Sequence, residues 1–287
     1  TVQNPSGGTA TVKNLVLTNS YMTSAFTNFG SIVGYVNGGK LDTVKSNAIL
    51  TSSNAYEGGL VGMTGSSTEM TNCWFGGSVK NTKSSGNVRV GGLVGCPYTG
   101  SLTATNCLYS GVVDASSNTT THAMVGGFIG EVGYKDCPGV TVTMKGCLNV
   151  GTISLYSASI KYGAMIGYVR PNCTLDIRTS YANEDNYAEI LCGYDETKSL
   201  AVYDADKAEI IDATITNTSM TGYEAQTNLV GFDFEQVWSI VRNENPILIS
   251  FKDEILVADT SWYDEAEGTA EAQLKVQEAQ AKAILDL

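Results

Sequence analysis

One five-residue segment, bounded at both ends by glycine, occurs five times in the chain. Gly30 to Gly34 reads GSIVG, Gly58 to Gly62 and Gly91 to Gly95 read GGLVG, Gly126 to Gly130 reads GGFIG, and Gly163 to Gly167 reads GAMIG. The closing glycines Gly34, Gly62, Gly95, Gly130 and Gly167 lie 28, 33, 35 and 37 residues apart. Ordered self-similarity at such a period is the mark of a stacked repeat architecture. A unit this short cannot bury its own apolar face, but a neighbour stacked on it can.

A second motif follows each copy. TNCWFGGSV follows Gly62, TNCLYSGVV follows Gly95 and KGCLNVGTI follows Gly130, while the outer copies carry KSNAIL and TSYANE. Aligned on these, Ser46, Cys73, Cys107, Cys147 and Ser180 form one column of small side chains. Asn47, Trp74, Leu108, Leu148 and Tyr181 form the next. Each repeat then reads as two or three short strands between Gly, Ser, Thr and Asn turns. No repeat contains a helical pattern of useful length, which argues against a βαβ sheet. The expected fold is all-β: a right-handed parallel β-helix (solenoid) of about five coils, its hand following the rule for parallel crossovers. The closing glycines are expected to take positive φ at a corner, and the leading ones to make room for neighbouring backbone. The aliphatic pair between them supplies core. Strict strand alternation would turn one of the two outward, and the pattern leaves open which.

The five copies resemble the GLUG-type repeats of large bacterial, Firmicute-type, surface and secreted proteins. The segment from Ser219 to Phe251, with its Gly-Phe-Asp-Phe, Trp and Pro-aliphatic order, is similar to stretches that close such repeat blocks. ADTSWYDEAEGTAEA, from Ala258, is similar to a linker leading to a further module. The resemblance implies a solenoid part of a cell-envelope or adhesin-like protein.

Composition changes along the chain. Residues 1–183 hold 11 Lys+Arg and 7 Asp+Glu, whereas residues 184–287 hold 6 and 22. The expected organisation is a solenoid over 1–183, a mixed α/β C-terminal cap over 184–257, and an acidic linker and helical tail over 258–287. In the cap, FEQVWSIV suits a short amphipathic helix, with Phe234, Val237, Trp238 and Val241 at helical spacing. PILISF alternates like a strand. The Ala, Glu, Gln, Lys and Leu-rich stretch from Ala270 has high helix propensity. The net charge of −12 argues against nucleic acid or an anionic membrane as the main partner. No apolar run is long enough to cross a membrane. The start at Thr1, without Met or a signal-like stretch, reads as a fragment or a mature form.

Catalytic signatures are sparse. His122, the one histidine, sits in a polar loop, so a multi-histidine metal site within one chain is ruled out. A Ser-His-Asp or Cys-His site would have to use it. The solenoid acids Asp42, Glu57, Glu69, Asp114, Glu131, Asp136 and Asp176 are neither adjacent nor in one column, whereas a glycosidase needs a pair. Arg89, Arg170 and Arg178 are the candidates for a lyase. Asp204, Asp206 and Glu209 lack the glycine and spacing of a calcium loop. The seven cysteines include no CxxC pair. Cys73, Cys107 and Cys147 read as stacked thiols or as disulfides between coils, which lie about 4.8 Å apart. Trp74 and several tyrosines are spread along the solenoid, and Tyr98, Tyr109 and Tyr168 are the candidates for an exposed ligand-binding strip. The expected function is a non-catalytic extracellular adhesion module of the cell surface or cell wall, without a cofactor. Its partners would be a glycan, a host surface protein and neighbouring domains of its own polypeptide. A polysaccharide lyase or glycoside hydrolase, and a pure spacer, are the alternatives.

Overall fold

The computed structural model describes residues 1–3, 9–53, 55–119, 122–134, 139–156, 161–171, 173–183, 210–216, 221–241 and 244–252. The chain divides into two compact units, Thr1–Asn217 and Thr218–Leu287.

Each coil of the first unit lays down strands on four faces in a fixed order. Around the third glycine segment these are Val88–Gly91, Val94–Pro97, Ser101–Thr105 continued by Leu108–Tyr109, and Val112–Ala115. Equivalent strands of successive coils pair in parallel, so the four faces become four sheets. The first sheet has five strands, one per coil. The protein is a parallel β-solenoid, as the repeat predicts. Register is kept along the stack: Val33 pairs with Val61, Val61 with Val94, Val94 with Ile129 and Ile129 with Ile166. Gly34, Gly62, Gly95, Gly130 and Gly167 therefore form one column.

Both members of the aliphatic pair are core. Leu60, Leu93, Phe128 and Met165 are buried, and so are Val61, Val94, Ile129 and Ile166. Alternation fails because the chain bends between the first and second sheets at this point. The bend also changes the hydrogen bonding: the Phe128 carbonyl accepts from both Leu93 N–H (3.0 Å) and Val94 N–H (2.9 Å) of the preceding coil.

The closing glycines do not take positive φ, contrary to expectation; none is among the left-handed residues. They lie inside strands of the second sheet, and glycine is needed there for contact. A Cβ on Gly95 would stand 2.5 Å from the Gly62 carbonyl oxygen and 2.6 Å from the Glu57 amide nitrogen, both backbone. The left-handed turn is made elsewhere. Asn14, Thr43, Asn72, Asn106, Gly146 and Thr179 all have φ between 47° and 63° and fall in one column of the third sheet. Asparagine tolerates this region because its short amide bonds locally. The Asn and Gly of TNC, TNC and KGC are thus the corner residues.

The first copy of the cysteine column also shifts. Trp74 pairs with Lys45 and Phe75 with Ser46, so Val44, not Ser46, stacks on Cys73, and Asn47 is not opposite Trp74. At the other end, Ile210–Thr216 pairs in parallel with Thr174–Asn183. The third sheet therefore continues past residue 183, where the sequence pattern ends.

In the second unit the helix is Gly222–Asn228, not FEQVWSIV. The Asp233 carboxylate accepts from the Glu235 and Gln236 amides at 3.0 and 2.9 Å, which holds a turn there. Trp238–Ser239 then pairs antiparallel with Ile247–Leu248, and the Phe232 and Trp238 rings stack at 4.8 Å. PILISF is strand only over Ile247–Leu248 and becomes a 3₁₀ turn over Ile249–Phe251. The acidic loop at Asp204, Asp206 and Glu209, together with Cys137, Cys192, Asp136 and the tail from residue 258, lies outside the described residues.

Candidate functional site

Charged side chains inside strands otherwise built from valine, glycine and isoleucine are costly, and where they occur they must be paired. In two strands of this kind the charges are paired with each other. VRVGG puts Arg89 in the first sheet, and FIGEV puts Glu131 in the second sheet, one coil on. Glu131 is fully buried and Arg89 nearly so. Arg89 Nε donates to Glu131 Oε2 at 2.5 Å, and Arg170 Nε of the following coil donates to Oε1 at 2.6 Å. Each carboxylate oxygen holds one guanidinium, and the triad ties three successive coils together. Burial disfavours the Arg89 charge, but Glu131 more than offsets it, so its pKa lies above the ordinary value.

Aromatic rings wall this cluster. The Arg89 guanidinium lies 4.9 Å from the Tyr56 ring and 5.5 Å from the Tyr134 ring. Arg170 lies 4.7 Å from the Tyr168 ring, and Lys161 Nζ is 3.9 Å from that ring. Tyr134 stacks on Tyr98 at 4.8 Å with 25° between planes. Burial pushes the Tyr56 phenol above its ordinary pKa. Burial, and then Glu131, push the Cys96 thiol well up. Neither group is a nucleophile at neutral pH. Tyr98, Tyr134 and Arg170 are half-buried and form the part of the cluster that meets solvent.

Of the three tyrosines expected on an exposed strip, Tyr98 alone reaches solvent. Tyr109 is fully buried: its ring lies where a Cβ on Gly92 would fall, 2.5 Å away, and its hydroxyl donates to the Thr152 carbonyl at 2.9 Å. Tyr168 is fully buried beneath Lys161 and Arg170. Neither belongs to an exposed strip. Trp74 is nearly buried, with Nε1 donating to Ser110 Oγ at 2.8 Å and Lys45 Nζ 4.0 Å from its ring. His122 is exposed.

Four other acids of the solenoid each pair with one basic side chain. Asp42 meets Lys13, Glu69 meets Lys40, Asp114 meets Lys80 and Asp176 meets Arg178. Arg178 lies on the third sheet, whereas Arg89 and Glu131 lie on the first and second. Among the described residues no group of histidine, cysteine and acid side chains is arranged to hold a metal. Cys73, Cys107 and Cys147 are buried free thiols. Their Sγ atoms lie 3.6, 3.7 and 3.6 Å from the carbonyls of Leu41, Met70 and Ala104 in the preceding coil. Burial holds the Cys107 and Cys147 pKa values well above normal, so the column packs as small apolar side chains.

Glu57 is the other buried acid. It occupies a core column between Phe29 and Val90, and its Oε2 accepts from Asn81 Nδ2 at 2.8 Å. Burial pushes its pKa up to about 7, against hydrogen bonds from Asn81 and Ser52. The folded state therefore binds this proton more tightly than the unfolded chain, whose ordinary value is 4.5. Below pH 4.5 both states are protonated and there is no penalty. Stability falls as pH rises from 4.5 to 7 and is then level, a step of about 3 kcal/mol. Urea unfolding across this range should show the step in the native chain, and Glu57→Gln should lack it. An unchanged step in the variant would assign it to another group.

The comparisons bear on the fold. No protein-family model matches the chain, and no curated protein does. A crystal structure described as a "putative immunoglobulin A1 protease" from Bacteroides ovatus is similar with a TM-score of 0.56 and 18% sequence identity. The match covers 87% of this chain and 74% of that one. At this identity the likeness is one of fold.

Proposed function

We propose that the chain is a non-catalytic solenoid module of a bacterial surface protein, and that it holds a glycan at the Tyr98–Tyr134 pair beside Arg170. The observation that carries this reading is the half-buried stacked tyrosine pair, backed by an ion triad whose Arg89 and Glu131 are buried and whose Arg170 reaches solvent. Stacked rings offer a flat apolar face to a sugar ring, and a neighbouring guanidinium offers donors to its hydroxyl or carboxylate oxygens. Of the arginines a lyase would call on, Arg89 is withdrawn from solvent and bonded to Glu131, and Arg170 and Arg178 are each paired with an acid. The GLUG-like repeats are the ground for placing the module outside the cell among further domains, with a host or environmental surface as the source of the glycan.

The test is retention of the purified chain on a panel of polysaccharides and host glycoproteins, read together with new sugar ends and new peptide ends. Peptide ends are included because of the name of the Bacteroides ovatus neighbour. Retention without cleavage is expected, and Tyr134→Ala should weaken it about tenfold, the value of one lost stacking contact. Release of sugar ends would replace this reading with a polysaccharide lyase or hydrolase. Neither retention nor cleavage would leave a spacer.

A further inference from the structure

A second buried layer lies outside the core. In the first sheet Tyr56, Arg89 and Met124 follow one another in one column. In the second sheet Cys96, Glu131 and Tyr168 do the same. All six are buried. Yet Tyr56, Cys96, Met124 and Tyr168 pack apart from the hydrophobic core, which takes strand neighbours such as Val90 and Val132 instead. Strand alternation therefore turns both columns to the outer side of their sheets. They are buried there because the bend at the glycine segments folds the two outer faces towards each other. Arg89 of one column bonds Glu131 of the other across that bend. The result is a furrow along the stack, floored by these side chains.

The rim of the furrow carries half-buried groups, Tyr98, Tyr134, Lys161 and Arg170. Gly133 N–H donates to the Pro97 carbonyl, and Arg170 N–H to the Val132 carbonyl one coil further on. Arg170 therefore stands one coil beyond Gly133 and Tyr134, about 4.8 Å along the stack. Charge in the furrow is one-sided. Glu57 and Glu131 are the only acids in the described strands of these two sheets, and Glu57 turns inward to Asn81. Glu131 is thus set against three cations, Arg89, Arg170 and Lys161. Lys161 and Arg170 lie over the same Tyr168 ring, at 3.9 and 4.7 Å, although like charges held together repel. Lys135 and Asp136, outside the described residues, cancel in charge. Asp42, Glu69, Asp114 and Asp176 on the other two sheets each meet one basic side chain, a balance that the furrow lacks.

We propose that the glycan held here is acidic, a polysaccharide whose sugar rings carry carboxylates. This inference rests on the glycan reading and specifies its ligand. A sugar ring stacked on Tyr98 and Tyr134 leaves the chain it belongs to running along the furrow towards Arg170. A carboxylate there supplies the negative charge that Glu131 alone does not. The guanidinium suits it in particular, because its planar N–H fork matches a carboxylate. Lys161 adds a second cation over the same ring without entering the triad. The floor beneath both is buried, so the attraction is screened less than in open water. A neutral sugar would gain the stacking but would leave the excess of positive charge uncompensated.

Retention of the whole chain on polygalacturonate, alginate and hyaluronan tests it, each polymer set beside its carboxyl-reduced neutral form. Dextran sulfate and dextran serve as a pair that differs in sulfate alone. At least one of the three acidic polymers should be held about tenfold more tightly than its reduced form, the value of one charge-assisted contact. Its retention should fall as salt rises from about 50 to about 300 mM, because screening weakens the attraction. Lys161→Gln, outside the triad, should weaken that retention severalfold, with the urea midpoint read in parallel to show that the fold is kept. Equal retention of acidic and reduced forms overturns the inference and leaves the glycan reading standing. So does retention that neither salt nor Lys161→Gln changes. Dextran sulfate held while all three carboxylate polymers pass overturns the carboxylate and assigns the site to sulfate. If only neutral polysaccharides are held, this inference alone falls. If no polysaccharide is held, the glycan reading falls with it.

Discussion

Replacing Gly95 by alanine should cost about 4 kcal/mol or more and abolish cooperative folding in much of the chain, although alanine adds only one carbon. The cause is contact: the new Cβ would fall between the Gly62 carbonyl oxygen and the Glu57 amide, 2.5 and 2.6 Å away. Backbone on both sides cannot move aside as a flexible side chain can, because those atoms belong to strands paired into the next coils. Gly95→Val should be worse. A different outcome is expected at Gly86, which has φ of +81° and no atom nearer than 3.7 Å to a built Cβ. There alanine meets only the left-handed backbone penalty, about 1–2 kcal/mol. Urea denaturation of the two variants separates the mechanisms. A loss at Gly95 as small as that at Gly86 would mean that the neighbouring backbones can give way, and the close approach of the sheets would have to be reconsidered.

Removing the buried carboxylate is the second large effect. Glu131→Ala leaves the nearly buried Arg89 guanidinium without the oxygen it now meets, beside the Arg170 guanidinium that shared the same acid. Breaking a buried pair by deleting one partner typically costs about 3–5 kcal/mol, because the charge left behind has lost both water and its counter-ion. Asp42→Ala deletes a carboxylate paired with an exposed lysine and should cost less than about 1 kcal/mol. The Glu131 loss is to be read by equilibrium unfolding together with glycan retention. A destabilised variant that still folds in the cold should also lose retention, because Arg170 and Tyr134 are held by the triad. A loss below about 1 kcal/mol would show that the arginines reach water or another anion easily. The cluster would then be an accessible site rather than a support.

The architecture was legible in the chain because each coil repeats the local pattern of the last. A residue and its counterpart one period on are stacked neighbours, so reading the repeat is reading the contacts, as with the glycine column and with Cys73, Cys107 and Cys147. The limits of that legibility are specific. Alignment by motif misplaced Ser46 by two positions, because the first copy lacks the TNC corner that sets the register. The role of Gly95 was mistaken because glycine serves both conformation and close approach, and only the position of the neighbouring sheet separates the two. Tyr109 and Tyr168 looked like surface residues in a polar, tyrosine-rich sequence, and packing put both inside. Arg89, Glu131 and Arg170 occur once each and stand 42 and 39 residues apart. They have no column of like residues to announce them, and they meet across neighbouring sheets and successive coils. Local periodicity thus determines the stack, since parallel in-register pairing brings like to like. The site depends on unlike side chains brought together across sheets, and that is set only once the coils have closed.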